Sequence, residues 1–193
     1  AATSLVKTPQ RYDRIIWGND NVAIISDEWY DTRNTKTYVI NPSNPSQGPK
    51  VIFDRNAQDA YSDPGNFETR KNQYNRYVLA IENDNAYLIG NGFTKNGQFP
   101  FISEFNLKTL QTNRLYTSTY KDKKEDLLEI EDFKKGTVLV QIQSKNEYPN
   151  YYLRNFKQKN KLTPITAFKN PFESIKNVNK EVIKYKRKDG VEL

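Results

Sequence analysis

The chain has neither cysteine nor histidine among its 193 residues. Without cysteine there is no disulfide framework, no thiolate zinc site and no thiol nucleophile, while the redox compartment stays open because exported proteins need not use disulfides. Without histidine there is no Ser-His-Asp triad, no imidazole metal ligand and no side chain whose ordinary pKa lies near neutrality. Methionine is also absent, the initiator included, so the gene product is expected to begin upstream of Ala1. No apolar run approaches the roughly 18 residues that a spanning helix needs, and Ala1-Ala2-Thr3-Ser4 has neither a basic n-region nor an h-region. No membrane span is expected, and an export signal would lie outside this stretch.

What is present favours strands. The 13 tyrosines and 10 phenylalanines suit pleated, half-buried surfaces, and no segment keeps a 3.6-residue apolar period. The net charge of +7 comes from 30 basic and 23 acidic residues that are interspersed, which describes an ordinary solvated surface better than a nucleic-acid stripe.

The strands recur in one order: a short apolar strand, a longer alternating strand, then third and fourth strands separated by polar turns. The second strands begin near Val22, Ala86 and Gly136, the third near Lys36, Phe99 and Asn150, and the fourth near Lys50, Gln111 and Leu162. Four short strands per unit, with no helix, are the pattern of β-propeller blades, in which each sheet must stack on neighbours to bury both faces. The fold class expected is all-β: a partial β-propeller of about three four-stranded antiparallel blades over residues 1–168, with blades at about 12–54, 77–117 and 126–167. Residues 169–193 form a linker and a strand leading onward. In the second unit Tyr77-Val78-Leu79-Ala80-Ile81 reads as the first strand, and Arg55 to Asn75 as a long polar connection. Three blades do not close a ring, so apolar faces are expected at both ends, and with them self-association. Val182 to Lys188, then Asp189-Gly190, reads as a hairpin whose second arm stops after three residues.

Several stretches invite functional readings, each with a plainer alternative. Trp29-Tyr30-Asp31-Thr32-Arg33 lies between the second and third strands of the first unit. Its guanidinium could grip a carboxylate, or it could stack on the aromatics and brace the loop. Trp29, Tyr30 and Arg33 are the candidate substrate-binding residues. Tyr61-Ser62-Asp63-Pro64-Gly65 carries Asp63 as a candidate and is also ordinary turn chemistry. Ser26, Ser103, Ser118 and Ser144 all lack the Gly-x-Ser-x-Gly context of a nucleophile elbow, so no catalytic residue is assigned. Asp122, Glu125, Asp126, Glu129, Glu131 and Asp132 lack the spacing of a calcium loop and read as solvated surface, so no metal or cofactor is expected. Tyr148, Tyr151, Tyr152 and Phe156, with Lys145, Arg154 and Lys157, read as blade aromatics in preference to a nucleic-acid platform.

The terminal Tyr185-Lys186-Arg187-Lys188-Asp189-Gly190 resembles the entry strand into the α/β-hydrolase domain of the prolyl oligopeptidase family of serine peptidases. Trp29 to Arg33, Phe53-Asp54-Arg55 with Tyr61 to Gly65, and Asn91-Gly92 with Phe99-Pro100-Phe101 resemble the glutamyl endopeptidase-like branch, close to the dipeptidyl aminopeptidases. The resemblance implies a peptide-cleaving parent whose propeller roofs an α/β-hydrolase domain of the same polypeptide, its catalytic residues lying beyond Leu193. It also implies a peptide substrate, no nucleic-acid partner and, with the Asn- and Lys-rich composition, a periplasmic or secreted bacterial setting. Two alternatives stay open: a free-standing secreted module that binds a glycan or peptide, and a hydrolase that works by carboxylates alone.

Overall fold

The computed structural model describes residues 4–158, 161–175, 178 and 181–192. Helix among them is limited to single 3-10 turns at Pro45–Gln47 and Glu173–Ile175. The rest of the regular structure is antiparallel sheet, arranged as three stacked blades of a partial β-propeller.

The first sheet is a meander of β1 (Arg11–Asn19), β2 (Val22–Trp29), β3 (Asn34–Ile40) and β4 (Lys50–Asn56). Its alternation sorts side chains cleanly by face: Ile24 and Val39 point toward the second sheet, whereas Ala23, Ile25 and Ile40 point away from it. The outward set is not bare, as an unpartnered end blade would be. Leu5 and Val6 pack over it, leaving Ala23, Ile25 and Ile40 between 0% and 4% exposed. The expectation of an apolar face open to solvent at this end is therefore corrected: an extended leading segment covers it.

The second sheet departs from the regular plan. The chain passes through β5 (Asn66–Phe67), β6 (Thr69–Lys71), β7 (Tyr77–Leu79) and β8 (Ile81–Glu82) before the long strands β9 (Asn85–Gly90), β12 (Phe101–Asn106) and β13 (Thr112–Thr117), with a small hairpin of β10 (Phe93–Thr94) and β11 (Gly97–Gln98) between them. Tyr77 to Ile81 is not one first strand. β7 pairs with β6, and the edge of β9 is shared by β5 at one end and β8 at the other. The supposed polar connection thus supplies half of the edge strand. It does so because Gly65, at φ 90°, sits so close to Ile89 that a Cβ would fall 2.5 Å from the Ile89 carbonyl oxygen, and because Phe67 buries its ring against Phe53 and Phe105. Asn83 and Asp84, both at positive φ, close the tight turn from β8 to β9.

The third sheet is a second regular meander: β14 (Lys123–Asp132), β15 (Thr137–Ser144), β16 (Asn150–Asn155) and β17 (Lys161–Pro164). A bulge at Leu128 lets Leu127 and Ile130 share the inward face, opposite Val140 and Val138.

Two cores hold the sheets together. Ile24 and Val39 meet Ala86, Leu88 and Phe105 between the first and second sheets, and Tyr87, Ile102 and Tyr116 meet Val138, Val140, Ile142 and Phe156 between the second and third. The middle sheet is apolar on both sides, so Ala86, Tyr87 and Leu88 are all buried in succession. Each large side chain so buried stabilises the stack by about 1.5–3 kcal/mol. The terminal Arg187 to Val191 forms a turn, with Gly190 N–H donating to the Arg187 carbonyl at 2.8 Å and one bridge between Lys186 and Glu192. Val182 to Tyr185 has no ladder partner among the described residues, and Leu193, the end of the expected second arm, lies outside them.

Candidate functional site

Because the meanders alternate direction, one end of the stack collects the β2–β3 turn, the β4–β5 connection, the β9–β12 connection and the β15–β16 turn. These segments carry the exposed rings Trp29, Tyr30, Tyr61, Phe93 and Tyr148. At the opposite end the turns at Asn19–Val22, Asn83–Asn85 and Asp132–Thr137 are built mainly from Asn, Asp, Lys and Gly, and beside them lie the β3–β4 connection with Pro42, Pro45 and Pro49, the β12–β13 turn with Leu107 and Leu110, and the half-exposed Trp17.

The β2–β3 turn is the most organised part of the aromatic end. Trp29 closes β2, half exposed, and Tyr30 is 70% exposed. Arg33 takes φ 56°, and its guanidinium carbon lies 3.7 Å from the Tyr30 ring centroid. This is the bracing geometry, with the cation on the π face. Among the described residues the Arg33 guanidinium has no carboxylate partner.

The second candidate motif is tied to this turn. Ala57 N–H donates to the Arg33 carbonyl at 2.7 Å, and Asn56 Nδ2 donates to the Thr32 carbonyl at 3.2 Å. Asn34 Nδ2 donates to Asp54 Oδ1 at 2.7 Å, which with Lys36 holds the Asp54 carboxyl below the usual carboxylate range. Arg55 reaches the carbonyls of Asn56 and Asp59, both at 3.1 Å, and pairs with Asp63 at 3.2 Å. Asp63 Oδ1 also accepts from Gly65 N–H at 3.0 Å, so Asp63 is engaged in its own turn and in the Arg55 pair. Beneath these groups a cavity of about 120 Å³ lies between the first two sheets, lined by Asp13, Ser26, Thr37, Arg55, Asp63 and Phe67. Ser26 Oγ there donates to Asp13 at 2.8 Å.

The remaining candidates are dispersed. Ser103 and Ser118 are buried in the second blade, and Ser144 accepts from Asn146 and Glu147 N–H groups in a turn. The acidic group is not uniformly solvated. Glu125 is 2% exposed and accepts from Arg154 Nε at 2.7 Å and from the Tyr116 hydroxyl at 2.6 Å. Burial and that carboxylate push the Tyr116 hydroxyl well above its ordinary pKa. Arg154 and Phe156 are buried between the second and third sheets, in keeping with blade residues and not with an exposed stacking platform. The sequence reading also missed Glu68, whose carboxyl burial pushes up to about 6 while Ile130 N–H donates to it at 3.2 Å.

No protein-family model matches the chain. Two curated proteins do, both named "Probable glutamyl endopeptidase, chloroplastic", one from Arabidopsis thaliana and one from Oryza sativa subsp. japonica. Each is 34% identical over 98% of this chain and 21% of its own length. The chain is similar to part of a peptidase. It spans about one fifth of these relatives, leaving most of their length without a counterpart here. Among solved structures, TolB from Acinetobacter baumannii aligns at TM-score 0.42 and 13% identity over 84% of this chain and 34% of that one.

Proposed function

We propose that this chain is part of the non-catalytic propeller of a serine peptidase of the prolyl oligopeptidase family, in the glutamyl endopeptidase-like branch. The observation that carries the reading is the near end-to-end similarity to two glutamyl endopeptidases combined with coverage of only 21% of each. A segment of that proportion, folded as three stacked sheets, fits a roof over a catalytic domain. The chain's own residues agree: there is no imidazole to act as base, and no serine stands in a nucleophile elbow. Serine acyl transfer needs a nucleophile, a base and an oxyanion hole held together, and in this reading the adjoining α/β-hydrolase domain supplies all three.

The role of the propeller is to admit short or unfolded peptides and exclude folded proteins. Its contact with them is assigned to the aromatic end, where Tyr30 and Trp29 offer exposed rings. Arg33, stacked on Tyr30, keeps guanidinium edges free to accept a carboxylate as a bidentate partner.

The test compares the full-length protein, the 193-residue chain and an Arg33→Ala full-length variant. The full-length protein cleaves a capped Glu-containing octapeptide but not a folded protein of the same composition, and the isolated chain cleaves neither. Arg33→Ala raises KM for the octapeptide by roughly tenfold with kcat unchanged, as expected for one lost charge-assisted contact. Turnover by the isolated chain, or equal cleavage of the folded protein, overturns the reading.

A further inference from the structure

The edge strand of the second sheet is interrupted at mid-height. Phe67 faces Leu88 and Ile81 faces Ala86, so Ile81 takes the place two residues past Phe67, and residues 69–80 are looped out of a strand that otherwise keeps its register. The root of the detour is closed: Glu68 N–H donates to the Tyr87 carbonyl at 2.8 Å, and Ala80 N–H donates to the Glu68 carbonyl at 2.9 Å. From there the chain leaves as the β6–β7 hairpin, with Thr69 facing Leu79 and Lys71 facing Tyr77. Arg70 clamps it, reaching the Ile81 carbonyl at 2.8 Å and Glu82 at 3.3 Å. The tip is equally ordered. Asn72 N–H donates to the Arg76 carbonyl at 2.9 Å, the Asn72 side chain accepts from Tyr74 and Arg76 N–H groups, and Asn75 takes φ 58°.

The neighbours of the hairpin fix its direction. β7 lies against β1, close enough that a Cβ on Gly18 would fall 3.6 Å from Leu79 Cβ. On the other side the Glu68 carboxylate accepts from Ile130 N–H of β14 at 3.2 Å. The first-strand edges of all three sheets therefore converge on the hairpin. In a ring of such sheets the converging edges line the central channel, and the hairpin stands across it. Its far end is bulky and uncovered, with residues 73–77 all exposed, Tyr74 by 74% and Tyr77 by 66%. Between the hairpin and residues 129–134 of the third sheet an open groove of about 550 Å³ remains. Its walls carry both signs of charge, Lys71 and Lys134 with Glu82 and Glu129 among them, so it discriminates by width and not by charge.

We propose that the β6–β7 hairpin is a fixed barrier in the propeller channel that limits passage to a single extended chain. The inference rests on the peptidase reading and deepens it by naming the element that sorts substrates by size. A groove of this volume is in the range that holds one ligand of drug size, which suits one extended stretch of peptide. A paired chain adds a second strand about 4.8 Å to the side of the first and meets the hairpin. Stiffness matters here, because a slack loop would be pushed aside, whereas the Arg70 clamp and the Asn72 turn hold this one in place.

The test uses the full-length protein and one capped, Glu-containing peptide in two forms, closed into a hairpin by a disulfide or opened by reduction and alkylation. The parent cleaves the open form and is at least about tenfold slower on the closed one in kcat/KM. In a deletion variant residues 70–78 are removed and Thr69 is joined to Leu79 through an Asn-Gly turn, which suits two facing residues of a hairpin. This variant handles the open form within about twofold of the parent and gains about tenfold on the closed form. Tyr74→Ala/Arg76→Ala trims the exposed tip without touching the root, and about a threefold gain on the closed form is expected. That double variant decides the matter if the deletion variant loses cleavage of the open form. No gain on the closed form, or an equal change on both forms, overturns the proposal and leaves the peptidase reading standing. Equal cleavage of the two forms by the parent removes size exclusion, and the barrier with it. No cleavage of the open form by the parent counts against the peptidase reading itself, and the barrier falls with that reading.

Discussion

At the scale of single residues, Glu68 ties blade packing to pH. Its carboxyl is pushed from 4.5 up to about 6, first by burial and then by the charge of Glu129, and the Ile130 N–H bond only partly offsets this. A carboxyl whose folded pKa exceeds its unfolded value binds its proton more tightly in the folded state. Its ionisation therefore weakens the fold: stability is fullest below about 4.5 and declines as pH rises through about 6. Glu68→Gln keeps an acceptor for Ile130 N–H and removes the charge. The variant is expected to be more stable than the parent at pH 7.5 by about 1–2 kcal/mol, after allowance for the part of the carboxylate that water still screens. The gain should vanish at pH 4, and urea midpoints at the two pH values check it. An equal difference at both would sink this account. Glu68 escaped the sequence reading because it sits in Asn66 to Lys71, where only Phe67 is apolar and nothing signals a buried edge. Glu125 and Arg154 escaped for a related reason. Glu125 lies in a run of charges; period two alone puts it on the face of Leu127, but that face becomes recognisable as core only when the bulge at Leu128, invisible in the sequence, adds Ile130 to it. As a buried pair, Glu125 and Arg154 give each other the partner that either alone would need.

Among the elements, regular strands were legible and the interrupted one was not. Alternation marked Val138, Val140 and Ile142 as one face of β15, and those residues line the core. The same signal at Tyr77 to Ile81 was misleading, because period two does not distinguish a long strand from two short ones that change partner at Ala80. The glycines of the β9–β12 connection show a second limit. Gly92 and Gly97 take positive φ as turn residues should, but Gly90 is required by packing: a Cβ there would lie 2.2 Å from the Phe101 ring, against whose face the Arg114 guanidinium sits at 3.3 Å. No local pattern announces a contact between neighbouring strands of that kind. Gly90→Ala must therefore displace the ring and its stacked cation, and an overpacking cost of about 1–3 kcal/mol is expected. Gly97→Ala, whose Cβ would meet the Phe99 ring at an ordinary 3.7 Å, carries only the backbone penalty of its φ of 133°. Thermal melts of the two variants separate the causes. Adding Phe101→Leu to Gly90→Ala should restore part of the loss if the ring is the obstacle, and no recovery would put the cost elsewhere.

For the molecule as a whole, the question is how a stack of sheets ends. The middle sheet is buried on both faces, as the repeat demands, and the two outer sheets solve the problem differently. On the first, Leu5 and Val6 cover Ala23, Ile25 and Ile40, and Gln10 N–H donates to the buried Asp27 at 3.0 Å, fastening the covering segment. On the third, the outward row of Glu129, Leu139, Leu153 and Thr163 sets two half-buried leucines side by side between polar ends, and among the described residues no segment like Leu5 and Val6 covers them. The sequence showed that ends must exist but not how they are finished, since Leu5 and Val6 carry no strand signal and act through a contact with residues far along the chain. If the leading segment is what keeps the first face from pairing with another copy, uncovering it should create an adhesive surface. Leu5→Asp/Val6→Asp places two carboxylates where burial is required, so the segment should lift away and expose the three apolar side chains. Sedimentation velocity over a concentration series is expected to show the double variant shifting to dimers and larger species at concentrations where the parent chain sediments more slowly. Adding Ile25→Lys, a charge in the centre of the newly exposed patch, should reverse the shift. Persistence of the larger species in that triple variant would assign the association to the third sheet, where Leu139→Lys is the corresponding substitution.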